Sequence, residues 1–228
     1  MRTKFWIVAA LVLSAGTAVA AGGDDILKTQ CAGCHNLAGP SPATLQELWS
    51  RKGPDLFYAG NKYKAQWMEQ WLQKPTRIRP AGMFYVDHVK SGAKGDEIDA
   101  STLAPHPALS AQDAKAVTAA LMAHKAKAEL ITPGSYIQGN ISRSSGEMLF
   151  DKFKGCLACH EIEPGYGGLS GPEVYTAARR LREDYIVSFL HDPQAWDPKI
   201  FMPNKHINDA DVQKFVHYLR LLSEESRP

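Results

Sequence analysis

Apolar side chains recur at helical spacing in two stretches of this chain, and each stretch stops before a proline. The two sets are Trp67, Trp71 and Leu72 ahead of Pro75, and Tyr185, Phe189 and Leu190 ahead of Pro193. Apolar positions at i, i+4 and i+5 predict an amphipathic helix, and a proline ends it because its ring cannot continue the hydrogen-bond ladder. Similar patterns predict a helix over 110–125 and another over 209–222, the second with Asn208 or Asp209 as its cap.

The first two helices belong to a longer internal repeat with an offset of 118 positions. Gly53-Pro54 falls on Gly171-Pro172, and one extra residue in the second copy then aligns two loop methionines, Met83 and Met202. A repeat of this length predicts that the chain is built from two similar halves.

Domain boundaries follow from this repeat. We expect a first domain over residues 21–129 and a second over residues 146–228, each long enough to bury a core of its own. The stretch 130–145 is rich in Pro, Gly and Ser, which is typical of a linker.

The first twenty residues have the pattern of a secretory leader. Arg2 and Lys4 precede an apolar run over 5–12, and the stretch ends in Ala18-Val19-Ala20. A basic start, a short apolar run and a small-x-small end predict a signal peptide, residues 1–20, cut after Ala20. We therefore expect the mature protein in the periplasm, and membrane association only if the leader stays uncleaved as an anchor.

Composition narrows the class of protein. Hydrophobic residues make up 44% and charged residues 22%, so the chain can fold around real cores. The formal charge of +2 is too small to indicate nucleic-acid binding.

All four cysteines lie in two copies of one pentapeptide, Cys31 to His35 (CAGCH) and Cys156 to His160 (CLACH). In an exported protein four cysteines can form disulfides, and Cys-x-x-Cys pairs can bind zinc. Neither interpretation explains why a histidine follows both pairs. A zinc ribbon would also keep its two pairs close together along the chain.

Covalent haem does explain the pattern. Cys-x-x-Cys-His is the attachment motif for c-type haem, in which both thiols bond to one porphyrin and the histidine binds the iron. The motif therefore predicts two covalently attached haem c groups. The cysteines are Cys31 and Cys34 in one site and Cys156 and Cys159 in the other, with His35 and His160 as iron ligands.

The second iron ligand of each haem is predicted from the repeat. Met83 and Met202 are the methionines that lie at matching places in proline-flanked loops, where a thioether can reach the distal face of a haem. Three loop histidines remain alternatives that would give bis-histidine ligation: His88, His106 and His206.

These residues together resemble class I cytochrome c. Gly146 and Phe150 precede the second pentapeptide as in the first helix of that family, and Met202-Pro203 is similar to its ligand dipeptide. The resemblance implies an all-α fold of two tandem cytochrome c domains, each a small helical bundle around its haem. It also implies that the carbonyls of Pro54 and Pro172 accept a hydrogen bond from the iron-binding imidazoles.

The first half departs from the family pattern. Pro54 lies 19 positions after His35, whereas Pro172 lies 12 positions after His160, so Pro40 is a rival for the imidazole contact. The extra chain over 36–52 predicts an added turn or helix. A further insertion over 84–108 is expected to form a solvated loop, a cover for a haem edge or a docking loop.

The resemblance implies a dihaem electron carrier rather than an enzyme. Its redox partners would be a membrane respiratory complex and a periplasmic reductase or oxidase. A second hypothesis is the electron-accepting subunit of a periplasmic dehydrogenase, similar to that of flavocytochrome sulfide dehydrogenases. A third is a dihaem enzyme with one open or non-methionine haem, such as a peroxidase or a thiosulfate dehydrogenase, although the latter uses a cysteine ligand and no fifth cysteine exists.

Overall fold

Helices are the main secondary structure of the protein, which is seen in a computed structural model that describes residues 22–93 and 95–226. The leader predicted for residues 1–20 lies outside these residues. The α-helices of the first half are α1 (Gly23–Ile26), α2 (Leu45–Trp49), α3 (Ala59–Lys62), α4 (Ala65–Gln73) and α5 (Ala111–Ala123). Those of the second half are α6 (Arg143–Met148), α7 (Ala177–Arg180), α8 (Glu183–His191), α9 (Pro193–Trp196) and α10 (Asp209–Glu225). Wider π-helical turns continue α1 over Leu27–Cys31 and α6 over Leu149–Phe153.

Two small antiparallel sheets accompany the helices. Strands β1 (Val89–Gly92) and β2 (Gly95–Ile98) pair in one hairpin, with Val89 opposite Ile98. Strands β3 (Glu161–Glu163) and β4 (Tyr166–Gly167) pair in the other. Short 3-10 turns cover Tyr85–Asp87, Ala100–Thr102, Ala128–Leu130 and Cys156–Ala158. No helix in the described part of the chain is long and apolar enough to cross a bilayer.

The predicted helices form, and their ends follow local chemistry. Asn208 caps α10 by accepting a hydrogen bond from the backbone N–H of Asp211 at 2.9 Å. Ser110 caps α5 in the same way through Asp113 at 3.1 Å. The extra chain over 36–52 contains α2, which begins with a capping box between Thr44 and Glu47.

The internal repeat appears as two equivalent helix pairs. Helices α7 and α8 begin and end 118 positions after α3 and α4, which is the offset found in the sequence. Between these pairs, the backbone N–H of Lys64 donates to the carbonyl of Arg180, and that of Arg182 donates to the carbonyl of Lys62, both at 2.9 Å. Each bond is the image of the other under the repeat, so a local two-fold axis relates the two halves at this bridge.

Each half has its own hydrophobic cluster, and a third cluster joins the two halves. The first half packs around α4 and α5, and the second around α10. The third cluster consists of four aromatic residues, Phe57 and Tyr58 from the first half and Tyr185 and Trp196 from the second. Trp196 is fully buried, and its ring centroid lies 4.7 Å from that of Tyr185 and 5.2 Å from that of Tyr58.

The predicted fold class, all-α in two tandem bundles of the cytochrome c type, is wrong. Two antiparallel sheets are present, and the halves share the aromatic cluster and the backbone bridge. The insertion over 84–108 forms a hairpin because glycines permit a tight reversal, with Gly95 at a φ of 121°. Gly165 and Gly167, at φ values of 80° and 125°, allow the second hairpin directly after His160.

The segment predicted as a linker, 130–145, is tied to the second half. Asp184 accepts hydrogen bonds from the backbone N–H groups of Gly134 and Tyr136 at 2.8 and 3.0 Å. The hydroxyl of Ser188 donates to the carbonyl of Leu130 at 2.6 Å. These contacts hold the connection against α8, so it is not a flexible linker.

Candidate functional site

Both Cys-x-x-Cys-His pentapeptides fold into the same turn. The backbone N–H of His35 donates to the carbonyl of Cys31 at 3.0 Å, and that of His160 donates to the carbonyl of Cys156 at 3.1 Å. One helical turn therefore separates the first cysteine from the histidine in each copy, which brings the two side chains to the same side of the backbone.

The thiols are free and accessible in both turns. Cys34 and Cys159 are exposed, and Cys31 and Cys156 are half-buried. Burial raises the pKa of the Cys31 thiol, and it raises the pKa of Cys156 to about 11. Within residues 22–93 and 95–226, no three histidine, cysteine or carboxylate side chains converge as they would around a metal ion.

Each pentapeptide histidine is oriented by a proline carbonyl. Nδ1 of His35 lies 2.8 Å from the carbonyl oxygen of Pro54, and Nδ1 of His160 lies 2.7 Å from that of Pro172. A carbonyl only accepts, so Nδ1 must carry the proton that is donated. The neutral imidazole then presents its lone pair on Nε2, which is the atom that can bind a metal.

The rival proline in the first half has another partner. The carbonyl of Pro40 accepts a hydrogen bond from the side-chain amide of Asn36 at 2.7 Å. The long connection between His35 and Pro54 thus contains α2. It still brings the carbonyl of Pro54 to the imidazole of His35.

Burial keeps both imidazoles neutral. It lowers the pKa of His160 more than the contact with Pro172 raises it, and nearby Arg79 and Arg180 lower it further. It also lowers the pKa of His35, with an added contribution from His106. At neutral pH both Nε2 atoms are therefore available as ligands.

The glycine before each proline allows the close approach of the backbone to the ring. A Cβ at Gly53 would lie 2.6 Å from Cε1 of His35, and a Cβ at Gly171 would lie 2.7 Å from Cε1 of His160. These distances are shorter than carbon–carbon contacts allow, so any larger residue must displace the imidazole or the turn.

Replacing Gly171 by alanine is expected to destabilise the protein by about 1–3 kcal/mol, the usual cost of overpacking a tight site. The added methyl meets both the ring of His160 and, at 2.7 Å, the carbonyl oxygen of Cys159. Denaturant unfolding measures the change. Gly33→Ala is the matched control, because no atom lies within 4 Å of its Cβ position. An unchanged midpoint for Gly171→Ala would show that the turn is not tightly packed.

The two predicted methionine ligands lie in different surroundings. Met202 is half-buried, and its backbone carbonyl accepts a hydrogen bond from Nε2 of Gln194 at 2.8 Å. Met83 is half-buried after a turn in which the N–H of Gly82 donates to the carbonyl of Arg79 at 3.1 Å. Their assignment as iron ligands stays a prediction.

Two of the alternative histidines belong to ordered loops. Nδ1 of His88 lies 2.9 Å from Oγ1 of Thr102, and its ring covers Gly82 so closely that a Cβ there would lie 2.6 Å from Cδ2. His206 adopts a left-handed backbone conformation with a φ of 47° and is exposed. His106, the third, is near His35.

Arg79 is a half-buried cation that the sequence analysis did not single out. It is surrounded by protein, and burial lowers its pKa, yet part of its side chain remains accessible. It forms no ion pair with any carboxylate in the described part of the chain; Asp197, whose charge it feels, pairs instead with Arg51. The neighbouring carbonyl of Ile78 accepts from the N–H of Glu173 at 2.8 Å, which places Arg79 beside the turn that holds His160.

These observations fit a porphyrin at both sites. Two free thiols and an imidazole with a free Nε2 lie on each turn, as the covalent attachment of a haem requires. The unpaired guanidinium of Arg79 is complementary to a carboxylate such as a porphyrin propionate. The repeat located the two glycines, since Gly53 and Gly171 align, but nothing in the sequence marks Arg79 as part of the second site.

No protein-family model, no curated protein and no solved structure matches this chain. The function must therefore be inferred from the two sites themselves.

Proposed function

We propose that this protein is an exported electron carrier that holds two covalently attached haem c groups. The observation that carries the proposal is the duplicated geometry of the pentapeptides. In each copy a proline carbonyl accepts a hydrogen bond from Nδ1 of the imidazole and fixes the ring. Nε2, on the other side of the ring, is left free. Two thiols precede each histidine on the same turn.

The chain itself would supply attachment through its thiols and orientation through the proline carbonyls. A bound haem supplies a one-electron ferric–ferrous couple. Cys31 and Cys34 would hold one group, and Cys156 and Cys159 the other. Met202 would bind the same iron as His160, and its soft thioether would favour ferrous iron and so raise the reduction potential.

We favour a carrier over an enzyme because electron transfer, unlike catalysis at the iron, requires no vacant position on the metal of the second site. With both His160 and Met202 bound to the iron, a small substrate would have no access to the metal. Carbon monoxide tests this point, since it binds only ferrous haem with an open or weakly held position. Rapid carbon monoxide binding at the His160 site would contradict the carrier function.

Cellular location is part of the proposal. The leader over residues 1–20 would direct the chain to the periplasm, where the partners would be a membrane respiratory complex and a soluble reductase or oxidase. Fractionation of cells that express the full chain tests the location. Haem-containing protein confined to the cytoplasm would contradict it.

Spectroelectrochemical titration of the purified protein tests the redox function. We expect two reversible one-electron steps, each assigned to one haem by its absorbance change. A protein that takes up fewer than two electrons per chain, or whose spectrum changes irreversibly, would contradict the proposed function.

Arg79 is expected to tune the second site. Its positive charge acts on His160 and favours ferrous over ferric iron, so Arg79→Gln should lower the midpoint potential there by an amount on the order of tens of millivolts. Arg77→Gln is the matched control, because Arg77 carries the same charge on an exposed side chain two residues away. Equal changes in the midpoint potential would contradict a specific effect of Arg79 on the second site.

A further inference from the structure

His106 lies next to the pentapeptide histidine of the first half. The ring centroids of His35 and His106 are 6.2 Å apart, and the two planes are inclined by 52°. The two residues are 71 positions apart in the chain. The fold, rather than local sequence, therefore brings the two imidazoles together.

Both rings leave the same nitrogen free. Nδ1 of His35 is engaged by the carbonyl of Pro54, and Nδ1 of His106 lies 2.8 Å from the carbonyl oxygen of Pro107. In the described part of the chain, no hydrogen bond engages Nε2 of either ring. Since carbonyls only accept, each Nδ1 is the donor, and the neutral form of each ring has its lone pair on Nε2.

The separation suits one metal ion between the rings. A metal–imidazole bond is about 2 Å long, and a ring nitrogen lies about 1.1 Å from its centroid. Two imidazoles that bind one metal from opposite sides therefore have centroids roughly 6.2–6.4 Å apart. The observed 6.2 Å matches this value. Direct packing of two rings is also possible within 7 Å, so the experiment must separate packing from ligation.

His106 is exposed, and a ring contact and the backbone of its loop set its position. Its ring centroid lies 4.7 Å from that of Trp71, the last aromatic residue of the face formed on α4 by Trp67 and Trp71. The N–H of Leu109 donates to the carbonyl of Leu72 at 2.8 Å, which fastens the end of this loop to α4. Prolines on both sides of His106 further restrict the loop.

The topology of the repeat agrees with this position. His106 lies four residues before Ser110, the cap of α5, and Met202 lies six residues before Asn208, the cap of α10. Both residues thus come from the connection that leads into the last helix of their half. Met83 instead precedes the inserted β1–β2 hairpin.

We propose that His106, in place of Met83, is the second axial ligand of the haem iron held by His35. This assignment rests on the proposed function, because it requires a haem at Cys31 and Cys34. It makes the first haem bis-histidine and leaves the second with His160 and Met202. Since a methionine ligand raises the potential, the first site then has the lower potential of the two.

The test is proton NMR of the full-length, haem-loaded ferrous protein. An axial methionine methyl group lies over the porphyrin and gives resonances shifted strongly upfield by the ring current. We expect one such set in the wild type, retained in Met83→Leu and lost in Met202→Leu. Two sets, with one lost in Met83→Leu, would overturn the assignment of His106.

Variants of His106 give an independent readout. His106→Leu should open one iron site, so that one haem per chain binds carbon monoxide when reduced. His106→Met should close it again, with a second upfield methionine set and a higher potential at that haem. His88→Leu is the matched control, since His88 is the other histidine of the insertion; loss of ligation there rather than in His106→Leu would overturn the proposal.

Haem content separates the two possible failures. Purified protein that carries no covalent haem overturns the proposed function and this assignment together. Protein with two haems and two methionine signals overturns only the assignment of His106.

Discussion

Replacing Cys156 and Cys159 together by serine is expected to halve the haem content of the exported protein. Serine keeps the size and hydrogen-bonding capacity of the turn but cannot form the thioether bonds to a porphyrin. Cys156 is half-buried and Cys159 is exposed, so the fold is expected to tolerate both hydroxyls. Haem per polypeptide, measured by pyridine haemochrome absorbance, should fall from two to one.

The paired substitution in the first half is the matched control. Cys31→Ser with Cys34→Ser should also leave one haem, but the remaining spectrum should be that of the site at His160. The two variants must therefore have different spectra and potentials. Full haem content in either variant would show that the thiols of that pair are not the attachment points.

Replacing Asp197 by alanine is expected to cost about 2–4 kcal/mol of folding stability. Oδ2 of Asp197 lies 2.7 Å from Nη1 of Arg51, and both side chains are largely buried, 7% and 11% exposed. Removing one partner of a buried pair typically costs about 3–5 kcal/mol. Asp55, 3.4 Å from Nη2 of Arg51, still compensates part of the charge, which reduces the expected loss. Denaturant unfolding measures the change.

A triple variant separates the charge from the packing. Arg51→Met, Asp55→Asn and Asp197→Leu together remove the arginine and both buried carboxylates, and this variant is expected to recover most of the lost stability, because neither carboxylate is left without its partner. If the triple variant is as unstable as Asp197→Ala, the loss comes from packing around the pair. A small loss in both would contradict the view that this contact holds the two halves together.

The halves are also joined by contacts around the carboxyl end of α9. Nζ of Lys127 donates to the carbonyls of Ala195 and Trp196 at 2.8 and 2.6 Å, and so satisfies acceptors that the short helix leaves free. Burial lowers the pKa of this lysine. Together with the aromatic cluster, these contacts hold the two halves against each other.

Much of the local structure could be predicted from the sequence. Amphipathic spacing identified α4 and α8, because apolar periodicity and a following proline are strong local signals. The offset of 118 predicted the equivalent helix pairs, and the two Gly-Pro turns were found at the imidazoles. These features depend on residues that are close in sequence or on a repeat, both of which can be read from a single chain.

The contacts between the halves could not be predicted. The bridge of Tyr63 with Leu181 and the burial of Trp196 depend on how two folded units pack, which no local pattern encodes. The β1–β2 hairpin was missed because its strands are exposed and polar, so no alternation of apolar residues marks them. His106 was one of three alternative ligands in the sequence, and only the fold shows that it lies next to His35.

The most direct test of the central hypothesis is the intact mass of the mature protein, purified from the periplasm under denaturing conditions. Covalent attachment survives denaturation, so we expect the mass of the polypeptide from residue 21 onward plus two haem groups. A mass equal to the polypeptide alone, or lower by the hydrogens lost in disulfide formation, would contradict haem attachment at both pentapeptides.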